Sequence, residues 1–278
     1  MNTLAKGTPT LSDNIRTWYL DKTVCITGAT SGIGLEIARL LAGCRARLLL
    51  CGRDRSAMDA IVTELRQYGS VEDVFLPDLA NPQERRKVLE QVTGTRVDIL
   101  INNAGVGYFG AFDSMDVQTI ESMLELNIAA MVQLCRAFIP DMRRRQGTGI
   151  LNIGSVASYF GTPGSALYGA SKHFVLGFTQ ALHQELRDSG IHVTGVYPGN
   201  TRTRFLSRAT GGRLQSRPGA LLPETVAREA LIGLRRNKLH VIPGFGNKKL
   251  VLAAILLPAR FILQKVQANA EAVSRKTA

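Results

Sequence analysis

Short apolar stretches alternate with longer segments of helical periodicity along almost the whole chain. Apolar runs bounded by glycine or polar residues predict seven strands, at residues 22–27, 46–51, 71–76, 97–101, 149–154, 191–196 and 239–242. The segments between them have the apolar spacing of amphipathic helices. Strands that alternate with helices form parallel sheets covered on both faces, so we expect an α/β fold with a doubly wound parallel sheet of about seven strands.

The alternation continues without a break typical of a domain boundary. The 278 residues fit one large α/β domain or two small ones. Because the chain shows no Pro/Gly/Ser-rich linker and no internal repeat, we predict a single catalytic domain at 1–247, followed by a basic, apolar tail at 248–278.

The first strand ends in a glycine-rich turn that leads into a helix. Gly28 can make the tight turn, Gly32 lets the backbone approach a pyrophosphate, and Gly34 permits close packing of helix on strand. The helix N-terminus then faces the anion. The spacing Gly-x-x-x-Gly-x-Gly differs from the commoner Gly-x-Gly-x-x-Gly, and a plain tight turn is the alternative. Its place between a strand and a helix favours a dinucleotide site.

The second strand ends in Gly52-Arg53, without the carboxylate that would bind a ribose 2′-hydroxyl. A guanidinium can bind a 2′-phosphate through two hydrogen bonds. We therefore expect NADP(H) rather than NAD(H), with Arg55 as the alternative ligand and a solvated arginine as the alternative role.

Tyr168 and Lys172 stand four residues apart, and Ser155 precedes Tyr168 by thirteen positions. On a helix this spacing places both side chains on one face, where the ammonium favours the ionised form of the phenol. A tyrosine with a pKa of about 10 when free would then exchange protons near neutral pH. The pair predicts a general acid/base site, although such pairs also arise by chance on amphipathic helices.

Several motifs, taken together, resemble those of the short-chain dehydrogenase/reductase family in identity, order and spacing from about residue 20 to 245. They are Thr27-Gly-x-x-x-Gly-Ile-Gly34, Asn102-Asn-Ala-Gly105, Asn127, Ser155, Tyr168-x-x-x-Lys172 and Pro198-Gly199. The resemblance implies a single-domain Rossmann fold. It also implies that Tyr168 is the general acid/base, that Ser155 polarises the substrate oxygen, that Lys172 lowers the phenol pKa and holds the nicotinamide ribose, and that Asn127 supports a water relay to Lys172.

The same resemblance implies the cofactor contacts. Asp78 is assigned to the adenine, the Asn102–Gly105 stretch to the wall of the cofactor cleft, and Thr203 to the carboxamide side of the nicotinamide. The full expected set is Gly28, Thr30, Ser31, Gly32, Ile33, Gly34, Arg53, Asp78, Leu79, Asn103, Ala104, Gly105, Tyr168, Lys172, Pro198, Gly199, Thr201 and Thr203.

Composition narrows the class of protein further. The net charge of +12 invites a nucleic-acid interpretation, but the basic runs lie at predicted helix ends and no nucleic-acid module accompanies them, so no nucleic-acid partner is expected. Four cysteines without Cys-x-x-Cys spacing fit a reduced compartment. The four histidines form no convincing ligand set, so no metal is expected. The polar N-terminus argues against secretion and favours the cytoplasm.

The tail places cations around an apolar run at 250–257. The run is too short to span a bilayer, because spanning needs about twenty apolar residues. An interfacial helix at the inner face of a membrane is one interpretation, with the cations at anionic headgroups. A helix that closes over the substrate cleft, or packs in a homo-oligomer, is the other.

These features favour an NADPH-dependent reductase of a carbonyl substrate, or a dehydrogenase of the corresponding alcohol. A stretch between Arg202 and Pro223 resembles the family's substrate-covering loop, and Phe109, Tyr159 and Phe160 are candidates for an apolar wall around a lipid-like, acyl or steroid-like ketone. The alternative is a non-catalytic NADP sensor or scaffold recruited by its tail.

Overall fold

The computed structural model describes residues 11–68, 71–92, 94–216 and 218–277, with side chains up to residue 268. Its centre is a parallel sheet of seven strands in the order β3-β2-β1-β4-β5-β6-β7. The strands are β1 Thr23–Thr27, β2 Arg47–Cys51, β3 Val71–Phe75, β4 Ile99–Asn102, β5 Thr148–Ile153, β6 Ile191–Val196 and β7 His240–Val241. The seven predicted strands and the doubly wound α/β fold are confirmed.

Eleven α-helices connect and flank these strands in the described part of the chain. They are α1 Asp13–Tyr19, α2 Gly32–Gly43, α3 Arg55–Arg66, α4 Pro82–Val92, α5 Val117–Leu124, α6 Met131–Met142, α7 Ala166–Glu185, α8 Phe205–Ala209, α9 Pro223–Arg235, α10 Phe245–Leu256 and α11 Ala259–Thr277. A π-helical turn, Glu125–Ala130, joins α5 to α6.

Each face of the sheet has its own hydrophobic core, because successive side chains of a strand point to opposite faces. In β2, Leu48 and Leu50 pack with α2, α3 and α9, whereas Leu49 and Cys51 pack with α4, α6 and α7. Strands covered on both sides need apolar residues at nearly every position, which is why they appear in the sequence as continuous apolar runs.

The order of the strands determines where a ligand can bind. From β1 the chain moves outward to β2 and β3, then returns to β4 on the other side of β1. Helices therefore diverge above the carboxyl ends of β1 and β4 and leave a crevice there. The glycine turn, Asn102–Gly105, Ser155 and Pro198 all follow strand ends at this edge.

One helical segment in the described part of the chain, Val117–Met142, is long and apolar enough to cross a membrane by length and composition. It comprises α5, the π-helical turn and α6, and Leu134, Cys135 and Phe138 pack in the core under the sheet. A core helix meets the same criteria, so this segment alone is weak evidence for a membrane span.

The tail forms two helices. α10 begins ahead of the predicted boundary at 247, and α11 follows Pro258. Val251 and Ile262 are buried, and α10 packs near the short turn Val156–Ser158. The division of the chain into 1–247 and 248–278 stays a prediction.

Candidate active site

The glycine turn after β1 has the geometry of a phosphate cradle. Gly28 and Gly32 adopt φ of +67° and +59°, a region that favours glycine. A Cβ on Gly34 would lie 2.4 Å from both the Gly28 carbonyl oxygen and Asn103 Nδ2. Any side chain at these positions would therefore strain or close the turn.

Thr27 connects this turn to the end of β4. Its hydroxyl oxygen accepts hydrogen bonds from the backbone N–H groups of Asn103 and Ala104, each at 3.0 Å. The Asn103 side chain donates in return to the carbonyls of Thr27 and Gly28, both at 3.0 Å. The Asn102–Gly105 stretch is thus held beside the glycine turn. Thr27 belongs to the recognised motif, but nothing in the sequence assigned this role to its hydroxyl.

Just after β2, Arg53 forms an ion pair with Asp78. The guanidinium lies 3.5 Å from the carboxylate, and the Arg53 side chain is 64% exposed. Asp78 is itself held by hydrogen bonds, since its N–H donates to Glu84 at 2.6 Å and its carboxylate accepts from Ala80 at 3.0 Å. A Cβ on Gly52 would lie 2.9 Å from Thr30 Cγ2, so Thr30 also lies here.

The segment after β6 closes the cleft from the other side. Pro198 accepts a hydrogen bond from Val156 N–H at 3.0 Å, and the Thr201 hydroxyl donates to the Gly199 carbonyl at 3.0 Å. Thr203 reaches across to the glycine turn, where a Cβ on Gly32 would lie 3.0 Å from Thr203 Cγ2.

Tyr168 and Lys172 lie one turn apart in α7 and share the face that points toward the strand ends. Lys172 is buried, and its ammonium donates to the Ile153 carbonyl at 2.9 Å. It lies 5.8 Å from the centroid of the Tyr168 ring. The predicted juxtaposition is therefore present.

Ser155 begins the short turn after β5. Its hydroxyl oxygen accepts from Ala157 N–H at 3.1 Å, while the Ser158 hydroxyl accepts from Ser155 N–H at 3.3 Å, which completes a capping box. This turn holds the Ser155 hydroxyl beside the Tyr168 phenol, where it still has a hydrogen to donate.

Asn127 lies in the π-helical turn between α5 and α6, the type of helix irregularity often found at functional sites. Its carboxamide pairs with the backbone of Val106 in both directions at 2.9 Å and donates to the Ser171 hydroxyl at 3.1 Å. Asn127 therefore ties the cofactor wall to α7. Its expected role in a water relay stays a prediction, and Ser171, inside the Tyr-x-x-x-Lys motif, is a partner that the sequence did not single out.

The electrostatics correct one expectation. Burial raises the pKa of Tyr168 to about 12, and the interaction with Ser155 opposes that rise. Burial also lowers the pKa of Lys172 to about 8. Loss of water therefore dominates, and the expected ionisation of the phenol near neutral pH is not met in the polypeptide, whereas the lowering of its pKa by Lys172 stays a prediction. At neutral pH the phenol keeps its proton.

Within the stretch between Arg202 and Pro223, helix α8 lies against Tyr168. Phe205, in α8, has its ring centroid 5.5 Å from that of Tyr168, and the ring centroid of Phe109 lies 6.3 Å from it. Two hydrogen bonds join the segment of Phe109 to the segment of α8. Phe109 N–H donates to the Ala209 carbonyl at 3.1 Å, and Arg213 donates to the Phe109 carbonyl at 3.2 Å. Tyr159 instead packs on Tyr197, with ring centroids 5.3 Å apart, so it is not placed against Tyr168.

A dinucleotide fits the residues present, because glycines keep this cleft free of side chains. A Cβ on Gly28 or Gly34 would press on Asn103, one on Gly32 would press on Thr203, and one on Gly105 would lie 3.2 Å from Asn127 Oδ1. In the part of the chain that the structure describes, no three His, Cys, Asp or Glu side chains group as metal ligands would.

Comparison with known proteins agrees with this geometry. The family model for the short chain dehydrogenase matches residues 22–212. The chain belongs to this family. Sulfoacetaldehyde reductase 2 from Chromohalobacter salexigens is 35% identical over 211 residues, which cover 74% of this chain and 83% of that protein.

Two solved structures show the same fold. A short-chain dehydrogenase from Sphingobium yanoikuyae in complex with NADPH is 34% identical with a TM-score of 0.76, covering 84% of this chain and 93% of its own. A bulky-bulky ketone specific alcohol dehydrogenase from Comamonas testosteroni is 32% identical with a TM-score of 0.72, covering 91% and 94%. The chain is accordingly a Rossmann-fold, nucleotide-binding oxidoreductase of alcohol and carbonyl groups.

Proposed function

We propose that this short-chain dehydrogenase reduces an apolar ketone with NADPH. The observation that carries the proposal is the partly buried phenol of Tyr168, which lies beside Ser155 and Lys172 and packs near the aromatic rings of Phe109 and Phe205. Because its pKa is raised to about 12, the phenol keeps its proton at neutral pH. A protonated donor at an apolar wall suits carbonyl reduction, because the product oxygen must receive a proton.

NADPH, when bound, supplies the hydride that reaches the carbonyl carbon. Ser155 donates a hydrogen bond to the carbonyl oxygen and so stabilises the negative charge that develops on it. Tyr168 then transfers its phenolic proton to that oxygen. Lys172, whose pKa of about 8 leaves it largely protonated at neutral pH, stabilises the resulting phenolate at short range. The reverse oxidation would use the same groups.

The preference for NADPH rests on Arg53. Its exposed guanidinium stands at the end of β2, and its ion pair with Asp78, at 3.5 Å, is long enough to exchange for a phosphate. The NADPH complex of the Sphingobium relative supports this assignment. Arg55, which lies at the start of α3, remains the alternative ligand.

The proposed substrate class rests on the apolar side chains near Tyr168. Phe109 and Phe205 bring apolar rings to Tyr168, which favours a lipid-like, acyl or steroid-like ketone. Two relatives, an alcohol dehydrogenase specific for bulky-bulky ketones and a sulfoacetaldehyde reductase, also have names that refer to carbonyl compounds. The comparisons lend no support to a non-catalytic NADP sensor.

The test is the rate of NADPH oxidation by the purified protein with aliphatic, acyl and steroid ketones, with NADH as the matched cofactor. Turnover of at least one ketone with preference for NADPH is the expected result. No turnover across the panel, in protein that still binds NADPH, would favour the sensor.

We also propose peripheral membrane contact through the tail, from the cytoplasmic side. Phe245, Ile255 and Leu256 are 72%, 64% and 70% exposed, while Lys248, Lys249 and Arg260 are exposed beside them. Large exposed apolar groups next to cations suit the interface of an anionic bilayer. Val251 and Ile262 are buried, so the tail also packs on the catalytic domain.

Replacing Ile255, Leu256 and Leu257 by serine tests this contact without disturbing Val251. In co-sedimentation with phosphatidylglycerol vesicles, we expect the variant to stay in the supernatant even at low salt, because buried apolar area supplies part of the affinity of the wild type. A wild-type protein that stays in the supernatant, and whose mass in solution falls to that of a monomer on the same substitution, would assign the surface to a second copy of the chain instead.

A further inference from the structure

The segment that contains α8, next to Tyr168, is strongly cationic. Residues 202–223 contain five arginines and no carboxylate, and no Asp or Glu occurs between Asp188 and Glu224. Arg217 lies outside the described residues, whereas the other four, Arg202, Arg204, Arg208 and Arg213, are exposed. A surface of one sign attracts anions and raises their local concentration.

Two of these arginines stand beside the residues that face the reaction centre. In α8 the ring of Phe205 packs near that of Tyr168. Ala209 is buried against Gly107, since a Cβ added to Gly107 would lie 3.3 Å from the Cβ of Ala209. Residues four apart share a helix face, so Phe205 and Ala209 form one row. Arg204, the N-cap of α8, and Arg208 are also four apart and form the adjoining row, and both are exposed. Together with Arg202 they are called the arginine rim.

The guanidinium groups of this rim have no acidic partners. Within the described chain, the nine ion pairs involve other arginines, such as Arg39, Arg85 and Arg145, and none involves Arg202, Arg204 or Arg208. Arg213 differs, because it donates to the carbonyls of Thr210 and Phe109 and thereby holds the segment in place.

We propose that Arg202, Arg204 and Arg208 bind an anionic group of the substrate, such as a carboxylate, phosphate or sulfonate, while its apolar part lies against Phe205 and Phe109. Guanidinium groups bind such oxyanions through paired, charge-assisted hydrogen bonds. The inference rests on the proposed reductase activity and narrows its substrate to a ketone that carries a negative charge away from the carbonyl.

The experiment compares 9-oxodecanoate with its methyl ester, and 5-oxohexanoate with its methyl ester, as substrates of the full-length enzyme with NADPH. Of the two keto acids, the one with the higher kcat/KM should exceed its own methyl ester in kcat/KM by about three- to thirtyfold. This is the range expected for one or two partly exposed charged hydrogen bonds. Added salt should reduce this ratio, since the groups are exposed. Arg204→Gln and Arg208→Gln should each reduce it, and the double variant should bring it close to one.

Arg66→Gln is the matched control, because Arg66 is exposed at the end of α3, on a part of the protein away from the cleft. This variant should keep the wild-type ratio. An acid-to-ester ratio near one in the wild type, or a ratio that survives the double variant, would overturn the anion site while ester reduction still upheld the reductase.

A second readout separates the two proposals. Should neither ketone turn over, binding of decanoate and decanamide to the NADPH complex is measured by calorimetry with the same variants. Tighter binding of decanoate that Arg204→Gln and Arg208→Gln abolish would uphold the anion site without the activity, and equal binding would overturn it. Loss of vesicle binding in these variants with an unchanged acid-to-ester ratio would assign the arginines to a membrane surface and refute substrate recognition.

Discussion

Replacing Thr27 by valine removes the hydroxyl that joins the glycine turn to the cofactor wall, with almost no change in volume. Thr27 is 2% exposed, and its oxygen accepts from both Asn103 N–H and Ala104 N–H at 3.0 Å. A buried donor left without a partner costs about 1–3 kcal/mol. Because the two donors are only partly buried, we take the lower half of that range and expect a loss of about 2–4 kcal/mol in the free energy of unfolding.

For a protein of this size such a loss lowers Tm by roughly 5–15 °C. The assay is thermal and urea unfolding, together with the Kd for NADPH, which should rise because the Asn103–Gly105 wall loses its anchor. Thr27→Ser keeps the hydroxyl and should retain most of the NADPH affinity. Thr63→Val removes an exposed hydroxyl that only donates to Asp59, so Tm should change little. A Tm for Thr27→Val within about 2 °C of wild type would refute the reasoning from hydrogen bonds.

Two further predictions concern charge. Exchanging Gly52-Arg53 for Asp-Ile should move the ratio of kcat/KM values from NADPH toward NADH by roughly ten- to a hundredfold, the worth of one charged hydrogen bond, and Arg55→Ile serves as the control for the alternative ligand. Lys172→Met should weaken NADPH binding and slow turnover, yet raise Tm at pH 7. The folded pKa of Lys172, about 8, lies below its ordinary value, so burying the ammonium destabilises the fold below pH 8 and this penalty fades as pH rises from about 8 toward 10.5. The Tm advantage of the variant should therefore shrink over that range, and an advantage independent of pH would contradict the assigned pKa.

The positions of the main elements and of the acid/base pair were predictable because they depend on local spacing. The continuous apolar runs of β1, β4 and β5 identify strands buried on both faces. The interval of four between Tyr168 and Lys172 requires a common helix face. The order of motifs along the chain then locates the site at the carboxyl ends of the strands.

The pKa of the phenol could not be predicted in the same way, because its direction depends on burial. Sequence spacing indicates that an ammonium is near, but it does not show that residues as far apart in the chain as Phe109 and Phe205 pack near Tyr168. The ion pair of Arg53 with Asp78 and the displacement of Tyr159 toward Tyr197 are likewise contacts between separate segments. No local pattern specifies them.

The Tyr168→Phe variant tests the proposed proton donor most directly. NADPH-dependent reduction of the best ketone substrate is measured alongside the Kd for NADPH, in the variant and the wild type. Loss of the phenolic proton should lower kcat by about 10² to 10⁴, the usual contribution of general acid catalysis, while the Kd changes little because the ring remains. A variant that keeps near-wild-type kcat with unaltered NADPH affinity would contradict the assignment of Tyr168 as the acid.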